Sequence, residues 1–319
     1  MYSELFTDFD AFAGSVRGGD WTMMLHNPAR RSWEINVAHI AGIQVQVGRL
    51  GSGNIVEGQS TGDGTILYLK LSDACTYSAS GRPIDPGSFM ILEPGCQFCL
   101  SSNSVHDWCS ILIPTVALER TRASGEPSSA SEKTTCRVTR PIHRVANRFR
   151  RTVQEIMATA AKYPQLESSP AARVASAGLL TLGSSIVGQR HERESHKAGR
   201  PKVPRAEIIR RSLELLEACG TERVLVRDLA AGASMSERTI RTAFVEHYGV
   251  GPVRYLQLRN LHQVRRALRA ADPEEVTVAD VLLQHGEWEF GRFASRYKRL
   301  FGELPSETLR AHRPIVQVL

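Results

Sequence analysis

The sequence predicts an α+β protein: an antiparallel β barrel or sandwich with helices, followed by an all-α domain with two helix-turn-helix units. Short runs rich in β-branched and aromatic residues lie between residues 30 and 115, separated by Gly and Pro pairs at about ten-residue spacing. Two later segments, Val226–Gly249 and Val278–Gly302, each show a short helix, a turn and a second helix. These patterns predict a β domain before a helical one.

Composition and charge exclude several classes of protein. The chain has 319 residues, of which 42% are hydrophobic and 23% charged, so disorder throughout is excluded. Residues 137–202 carry 13 Lys and Arg against 4 Asp and Glu, and this basic balance attracts polyanions. No apolar run approaches the roughly 18 residues of a membrane span, and the amino terminus lacks a signal-peptide pattern. We therefore expect a cytoplasmic protein that does not bind membranes.

The domain boundaries are predicted from changes in pattern. Residues 1–190 should form one domain, with a β part at about 20–118 and a helical part at about 141–188. Residues 191–204 have almost no apolar side chain and should form a linker, and residues 205–313 should form the all-α domain. A polar stretch at residues 120–135 should be a loop or hinge within the first domain.

The six cysteines invite a metal or redox interpretation, but their spacing favours buried thiols. Cys96 and Cys99 are three residues apart, and residues at that spacing on a strand lie on opposite faces. His39 and His106 do not supply the several histidines of a metal-dependent enzyme, and a zinc-activated cysteine nucleophile lacks its expected spacing. We expect no metal, no cofactor and no catalytic residue, and hence a protein that is not an enzyme.

Each helix-turn-helix unit ends in a helix that has one apolar and one polar face. In the first, Ser236 is the predicted N-cap, and Ile240, Ala243, Phe244 and Tyr248 form the core face. In the second, Trp288 should open the helix, and Phe293, Tyr297, Leu300 and Phe301 should face the core. The opposite faces carry polar side chains: Arg238, Arg241 and Thr242 in the first helix, and Arg292, Ser295, Arg296, Lys298 and Arg299 in the second.

These polar faces are typical of DNA-reading helices. An Arg on the first turns of a helix in the major groove can pair bidentately with guanine, a contact worth about 1–3 kcal/mol of discrimination. We therefore predict base contacts from Arg238, Arg241 and, in the second unit, Arg292 and Ser295, whereas Lys298 and Arg299 should contact phosphate. Solvated surface arginines are the simpler alternative. A helix from Pro252 to Leu268 should join the two units, and its Arg254, Arg259, Arg265 and Arg266 should contact phosphate or solvent.

Residues 205–313 resemble the AraC/XylS family of bacterial transcription regulators. The resemblance is carried by Leu229-Ala230, Ser236, Phe244, Gly249, Pro252, Leu258-Arg259, Gly286, Phe293, Tyr297-Lys298, Phe301-Gly302, Pro305 and Leu309-Arg310. The Trp288 to Ala294 segment is similar to the branch that includes ethanolamine-operon regulators. Glu287 departs from the pattern, because the family usually has an apolar residue there. Either Trp288 fills that place or the second unit is slightly displaced.

The resemblance implies a nucleoid-associated regulator, most often an activator. Its expected partners are double-stranded promoter DNA, RNA polymerase, a small-molecule effector and a second copy of the chain. It also implies a cupin-like barrel that binds the effector, in which Trp33, Tyr68, Phe89 and Trp108 are candidate walls. The alternative is a DNA-binding protein that is independent of an effector or controlled by a protein partner.

Overall fold

The computed structural model describes residues 1–61, 64–72, 75–121, 136–188, 205–220 and 223–311. These residues divide into two compact units. The first comprises Met1–Met23 and Asn27–Arg200, and the second comprises Met24–His26 and Pro201–Leu319. The expected linker at residues 191–204 and all but residues 120 and 121 of the expected loop at 120–135 lie outside the described residues, as do residues 312 and 313.

In its described residues, the first unit is a β structure with four α-helices. Its elements in chain order are β1 (Tyr2–Phe6), α1 (Phe9–Ser15), β2 (Gly19–Ile40), β3 (Ile43–Ser60), β4 (Gly64–Lys70), β5 (Tyr77–Ala79), β6 (Arg82–Pro83), β7 (Phe89–Leu92), β8 (Gln97–Ser102), β9 (His106–Pro114), α2 (Thr115–Thr121), β10 (Arg137–Thr139), α3 (His143–Lys162) and α4 (Pro170–Val187). β1 and α1 precede the region that the sequence pattern marked as β.

The strands form the antiparallel barrel that the sequence predicts. Their order is β10-β7-β4-β9-β3-β8-β5-β6, with β2 paired to β3 and β1 paired to β2. Ala41 and Gly42 both have positive φ, 44° and 88°, as a two-residue hairpin turn between β2 and β3 requires. β3 pairs with β9 through residues 44–50 and with β8 through residues 54–59, so a single long strand belongs to both sides of the barrel.

Helices α3 and α4 cover one face of this sheet. α3 buries Ala146, Phe149, Val153, Ile156 and Ala160, whose spacing of three and four places them on one side of the helix. The Phe149 ring meets the Phe89 ring edge-on at 5.1 Å. On α4, Gly183 allows a close approach to the sheet, because an added Cβ would lie 2.7 Å from Ile113 Cδ1. The helical pair predicted from the apolar periodicity is therefore present and packs on the barrel.

Apart from Met24–His26, which belong to β2, the described residues of the second unit form helices and their connections. Its elements are α5 (Arg205–Ala218), α6 (Val226–Gly232), α7 (Glu237–Tyr248), α8 (Pro252–Ala270), α9 (Val278–Gln284), α10 (Phe290–Phe301) and α11 (Pro305–Arg310). The predicted pairs of helices correspond to α6 with α7 and to α9 with α10, and α8 joins them. No helix among the described residues is long and apolar enough to cross a membrane.

Gly51 provides a test of the barrel geometry. An added Cβ there would lie 2.2 Å from the Arg30 carbonyl oxygen, and main-chain atoms cannot turn aside as a side chain can. We expect Gly51→Ala to lower the free energy of unfolding by about 1–3 kcal/mol. Gly178→Ala on α4 is the control, since no atom lies within 4 Å of its added Cβ and alanine favours a helix. Urea denaturation followed by circular dichroism measures both, and a Gly51→Ala protein as stable as the parent would contradict the expectation.

Candidate nucleic-acid interface

The first helix-turn-helix unit is fixed by a cap and a tight turn between α6 and α7. Ser236 Oγ accepts a hydrogen bond from the Thr239 amide at 3.2 Å, as the sequence predicts for an N-cap. Within the turn Ser234 has a left-handed φ of 54°, and the Met235 amide donates to the Ala230 carbonyl. Gly232 instead ends α6, and an added Cβ there would lie 3.1 Å from Leu215 Cδ2. That glycine therefore serves packing against α5.

The outward face of α7 presents two guanidinium groups. Ile240, Ala243, Phe244 and Tyr248 are buried, as the sequence predicts, which turns Arg238 and Arg241 toward solvent. The Arg241 side chain is 62% exposed and lies 3.5 Å from the Glu237 carboxylate. Thr242 donates its hydroxyl proton to the Arg238 carbonyl, so its oxygen is the part that can accept from a ligand. An exposed ion pair such as Arg241–Glu237 contributes little stability and is easily exchanged for a phosphate or a base.

The second unit begins with a capping box and turns through a glycine. Thr277 caps α9 and Asp280 bonds back to the Thr277 amide, and these hydrogen bonds from Thr277 lower the pKa of Asp280. Gly286 has a φ of 68°, the left-handed conformation that glycine adopts without strain. α10 starts at Phe290 after Glu289, so Trp288 precedes the helix instead of opening it.

The outward face of α10 is more polar and more firmly paired than that of α7. The Arg292 side chain is 78% exposed and bonds to the Glu289 carboxylate at 2.7 Å. Ser295 is exposed and donates to the Gly291 carbonyl. Lys298 and Arg299 are exposed near the end of the helix, where we predicted phosphate contacts. Phe293, Tyr297 and Leu300 are buried and Phe301 is half-buried, so the predicted core face is confirmed.

Arg296 does not point freely outward as the helical pattern predicted. Its side chain is 32% exposed, and its guanidinium lies 3.3 Å from the carboxylate of Glu287 and over the Phe293 ring. The other oxygen of the buried Glu287 carboxylate accepts from Asn260 of α8 at 2.8 Å. Trp288 is 70% exposed, so it does not fill the buried site that follows Gly286, and the side chain of Glu287 occupies that site. Asn260 and Arg296 thus bond to the carboxylate of Glu287, the residue that departs from the family pattern, and Arg296 fixes the position of Glu287.

Two arginines of α8 are structural. Arg265 is buried, bonds to the Glu303 carboxylate at 2.5 Å and lies 4.5 Å from the centre of the Phe301 ring. Arg259 donates to the Leu216 carbonyl at 3.0 Å and so caps the end of α5. The expectation that Arg265 contacts phosphate or solvent is wrong, because that side chain is buried against Glu303, whereas Arg259 is half-buried and keeps part of its surface in solvent.

Within the first unit, the barrel holds an apolar cavity of about 50 Å³. Tyr68 and Trp108 line it, and their rings stack at 5.9 Å. Trp33 and Phe89 do not, which corrects the prediction for these two walls. Trp33 packs edge-on against Phe9 and donates its indole N–H to Ser52, and Phe89 faces α3 on the other side of the sheet.

The polar groups around the cavity are mostly satisfied by the protein. The Tyr68 and Tyr77 hydroxyls bond to each other at 3.1 Å, and burial raises the pKa of both. Burial lowers the pKa of His106 to about 4, so its imidazole is neutral near pH 7, and Nδ1 donates to the Ser104 carbonyl. Arg17 lines the cavity with an exposed side chain. The interior is therefore apolar and uncharged, with one cation at its border.

The cysteines are free thiols. Cys75, Cys96, Cys99 and Cys109 are buried, and Cys136 and Cys219 are half-buried. Burial raises the pKa of Cys96 to about 11 and that of Cys136 to about 12, which keeps both protonated near neutral pH. In the parts of the chain that the structure describes, no group of three or more His, Cys, Asp or Glu side chains is placed to hold a metal ion.

Comparison with known proteins agrees with this geometry. A family model described as a helix-turn-helix domain matches residues 229–311. XylDLEGF operon transcriptional activator 1 of Pseudomonas putida is 26% identical over 272 residues, which cover 83% of this chain and 78% of that protein. XylDLEGF operon transcriptional activator 2 of the same organism is 35% identical over 103 residues, covering 32% of this chain and 66% of that protein.

A solved structure of a probable AraC family transcriptional regulator from Rhodopseudomonas palustris is also similar. The two sequences are 32% identical over a match that covers 34% of this chain and 98% of the other, with a TM-score of 0.30. The two named relatives of Pseudomonas putida are transcriptional activators, which fits the helix-turn-helix geometry of the second unit.

Arg265 tests the packing of the second unit on α8. Arg265→Ala removes a guanidinium that is 4% exposed and leaves the Glu303 carboxylate without that partner. We expect a loss of about 2–3 kcal/mol in the free energy of unfolding, less than for a fully buried pair because Glu303 is one-third exposed. Arg266→Ala, the exposed neighbour, should change it by less than about 0.5 kcal/mol. Equal stability of the two variants in urea denaturation would show that the Arg265 pair contributes nothing.

Proposed function

The chain belongs to the AraC/XylS family of transcription regulators, and from that premise we propose that it activates transcription in response to a small molecule. α7 and α10 act as reading helices in successive major grooves of promoter DNA, and the barrel cavity receives the effector. The observation that carries the DNA-binding part is the pair of exposed guanidinium groups on α7, held outward by its buried apolar face.

The two reading helices have different roles in this proposal. Arg238 and Arg241 read bases in the first groove, and the Thr242 oxygen accepts from a base amino group. In the second groove Arg292 and Ser295 face the bases, and Lys298 and Arg299 bind phosphate. Arg296 positions the helix through Glu287. Trp288, which the sequence did not mark as a contact residue, is exposed just before α10 and can pack on a thymine methyl group or a sugar.

The effector and the assembly are proposed on separate grounds. The cavity is apolar, is lined by Tyr68 and Trp108, and is bordered by Arg17, so an apolar ligand with a polar end fits its chemistry. Ile142, Tyr163 and Val174 lie on or beside α3 and α4 and are 67%, 51% and 75% exposed, which supports a homodimer through residues around 141–188. Family membership leads us to propose RNA polymerase as a further partner and the bacterial nucleoid as the place of action.

Base reading by α7 is tested with oligonucleotides selected from a random pool. Arg238→Ala should weaken binding to the selected site by about 1–3 kcal/mol and relax the preference at one base pair. Arg292→Ala should do the same at a base pair in the second groove. Arg210→Ala on α5, whose guanidinium is paired with Glu207 and Glu214, is the control and should leave affinity and preference unchanged. Equal weakening by Arg238→Ala on all sequences would assign that side chain to phosphate.

Effector binding is tested by thermal shift on the full chain with amines, sugars, fatty acids, aromatic acids and nucleotides. A ligand at 100 times its dissociation constant adds about 2.7 kcal/mol to the stability of the protein. Val56→Ile places one more methylene group in the cavity and should weaken that response. Trp33→Phe changes a buried ring outside the cavity and should preserve it. The absence of a thermal shift with every one of these compounds would favour the alternative, a regulator controlled by a protein partner or by no effector.

A further inference from the structure

The two reading helices, α7 and α10, correspond residue by residue. Each has 12 residues and ends at a glycine with a left-handed φ, Gly249 at 70° and Gly302 at 87°. Their buried core residues also correspond in position, Ile240 with Phe293 and Phe244 with Tyr297. The outward faces of the two helices can therefore be compared position by position.

α10 lacks the arginines that α7 presents near its amino end. Gly291 stands at the position of Arg238, and Ala294 stands at the position of Arg241. Gly291 precedes the buried Phe293 by two residues, so it lies about 200° around the helix from that ring and is exposed. The centre of the outward face of α10 is therefore small and uncharged where that of α7 is cationic.

The fold does not account for the glycine at position 291. Its φ lies outside the left-handed region, and no atom lies within 4 Å of an added Cβ. Glycine is also less favourable than alanine inside a helix, so neither the backbone nor the packing requires it. A helix without a side chain at this place can approach a ligand with its main chain. Gly291 therefore indicates close contact with something outside the unit.

Two exposed apolar rings lie at the amino end of α10. Trp288 is 70% exposed and Phe290 is 38% exposed, whereas α7 has the charged Glu237 at the position of Phe290. Trp288 belongs to a longer connection, because residues 287–289 separate the left-handed turn residue from α10 and only residues 235–236 do so before α7. The second reading helix thus offers an apolar surface where the first offers charge.

We propose that α10 recognises the C5-methyl group of thymine through the rings of Trp288 and Phe290. Gly291 and Ala294 leave room for the helix to lie close to the bases. In the major groove this methyl group is the apolar feature of thymine that a protein can read by contact. Removal of one methyl-sized group from water changes a binding constant about fourfold. The inference rests on the proposed function and names the base feature that α10 reads.

The test uses the full chain and the DNA site selected from the random pool. Each thymine of that site is replaced in turn by deoxyuridine, which lacks only the C5-methyl group, and fluorescence anisotropy gives the dissociation constant. For the parent we expect one or two replacements to weaken binding about fourfold. For Trp288→Ala the thymine and uracil sites should bind equally. Tyr2→Ala is the matched control, because it removes a 49% exposed ring from the first unit and should keep the ratio of the parent.

A second variant, Gly291→Ala, tests the close approach of α10. Alanine should raise the melting temperature by about 2–4 °C, because it favours the helix and meets no neighbour. It should weaken binding to the selected site at least about fivefold, because a methyl group then separates α10 from the bases. Gly14→Ala on α1 is the control, since its added Cβ also meets no atom within 4 Å, and it should leave the affinity unchanged.

Four results would overturn the inference. Equal weakening of the thymine and uracil sites by Trp288→Ala would assign the ring to a sugar, and an unchanged affinity and ratio would assign it to a protein partner. A parent that binds every uracil site as tightly as the thymine site, or a Gly291→Ala protein with the affinity of the parent, would also refute it. A chain that binds no DNA refutes the proposed function itself, whereas tight binding without sensitivity to the methyl group refutes only this inference.

Discussion

Both helix-turn-helix units depend on α8, because each of them completes its core against that one helix. Near its amino end, Tyr255 stacks on Tyr248 at 4.4 Å and meets Phe244 edge-on, which fixes α7. Near its carboxyl end, α8 packs against α9 and α11, and Arg265 reaches the Phe301 ring of α10. With 19 residues it is about 28 Å long, and an α-helix of this length is stiff. The spacing of the two reading helices therefore follows from the length and straightness of α8.

The two ends of α8 hold their partners by different physical means. At the amino end the contact is aromatic and apolar, which gives stability with little directional preference. From the middle of the helix to its carboxyl end it is polar: Asn260 with Arg296 satisfies Glu287, Arg265 bonds to Glu303, and Thr308 joins Glu303 to Tyr297. A buried polar network is favourable only when its members meet in good geometry, so it specifies one orientation of α10. This orientation uses Arg296, which lies on a reading helix, as a positioning residue.

The helices were predictable and the inside of the barrel was not, for a physical reason. In the second unit one face of each helix is exposed to solvent, so the spacing of the apolar residues identifies the buried face. Ser236, as the N-cap, marks where α7 starts. In the barrel, strands such as Phe89–Leu92 are buried on both faces, because α3 and α4 cover one side and the cavity lies on the other. The alternation of apolar and polar residues along such a strand is then lost. Met90 and Leu92 line the cavity, whereas Phe89 faces α3. Neighbouring residues of the strand therefore face opposite sides, and because all of them are apolar the composition does not show which side each one faces. Arg265 and Arg296 were misplaced because their partners, Glu303 and Glu287, come from other elements.

The size of the barrel cavity constrains how the proposed effector can act. A volume of about 50 Å³ corresponds to only a few water molecules, so a larger ligand has to displace side chains such as Met90 or Leu100. Tyr68 and Tyr77 satisfy each other and His106 is bonded to the main chain, so few polar groups remain for recognition in the interior. For the proposed effector, selectivity then comes from the shape of the apolar wall, and part of the binding energy is used to rearrange that wall. A ligand that must rearrange the wall favours one packing of the barrel over another, and this differential affinity is what a regulatory ligand requires.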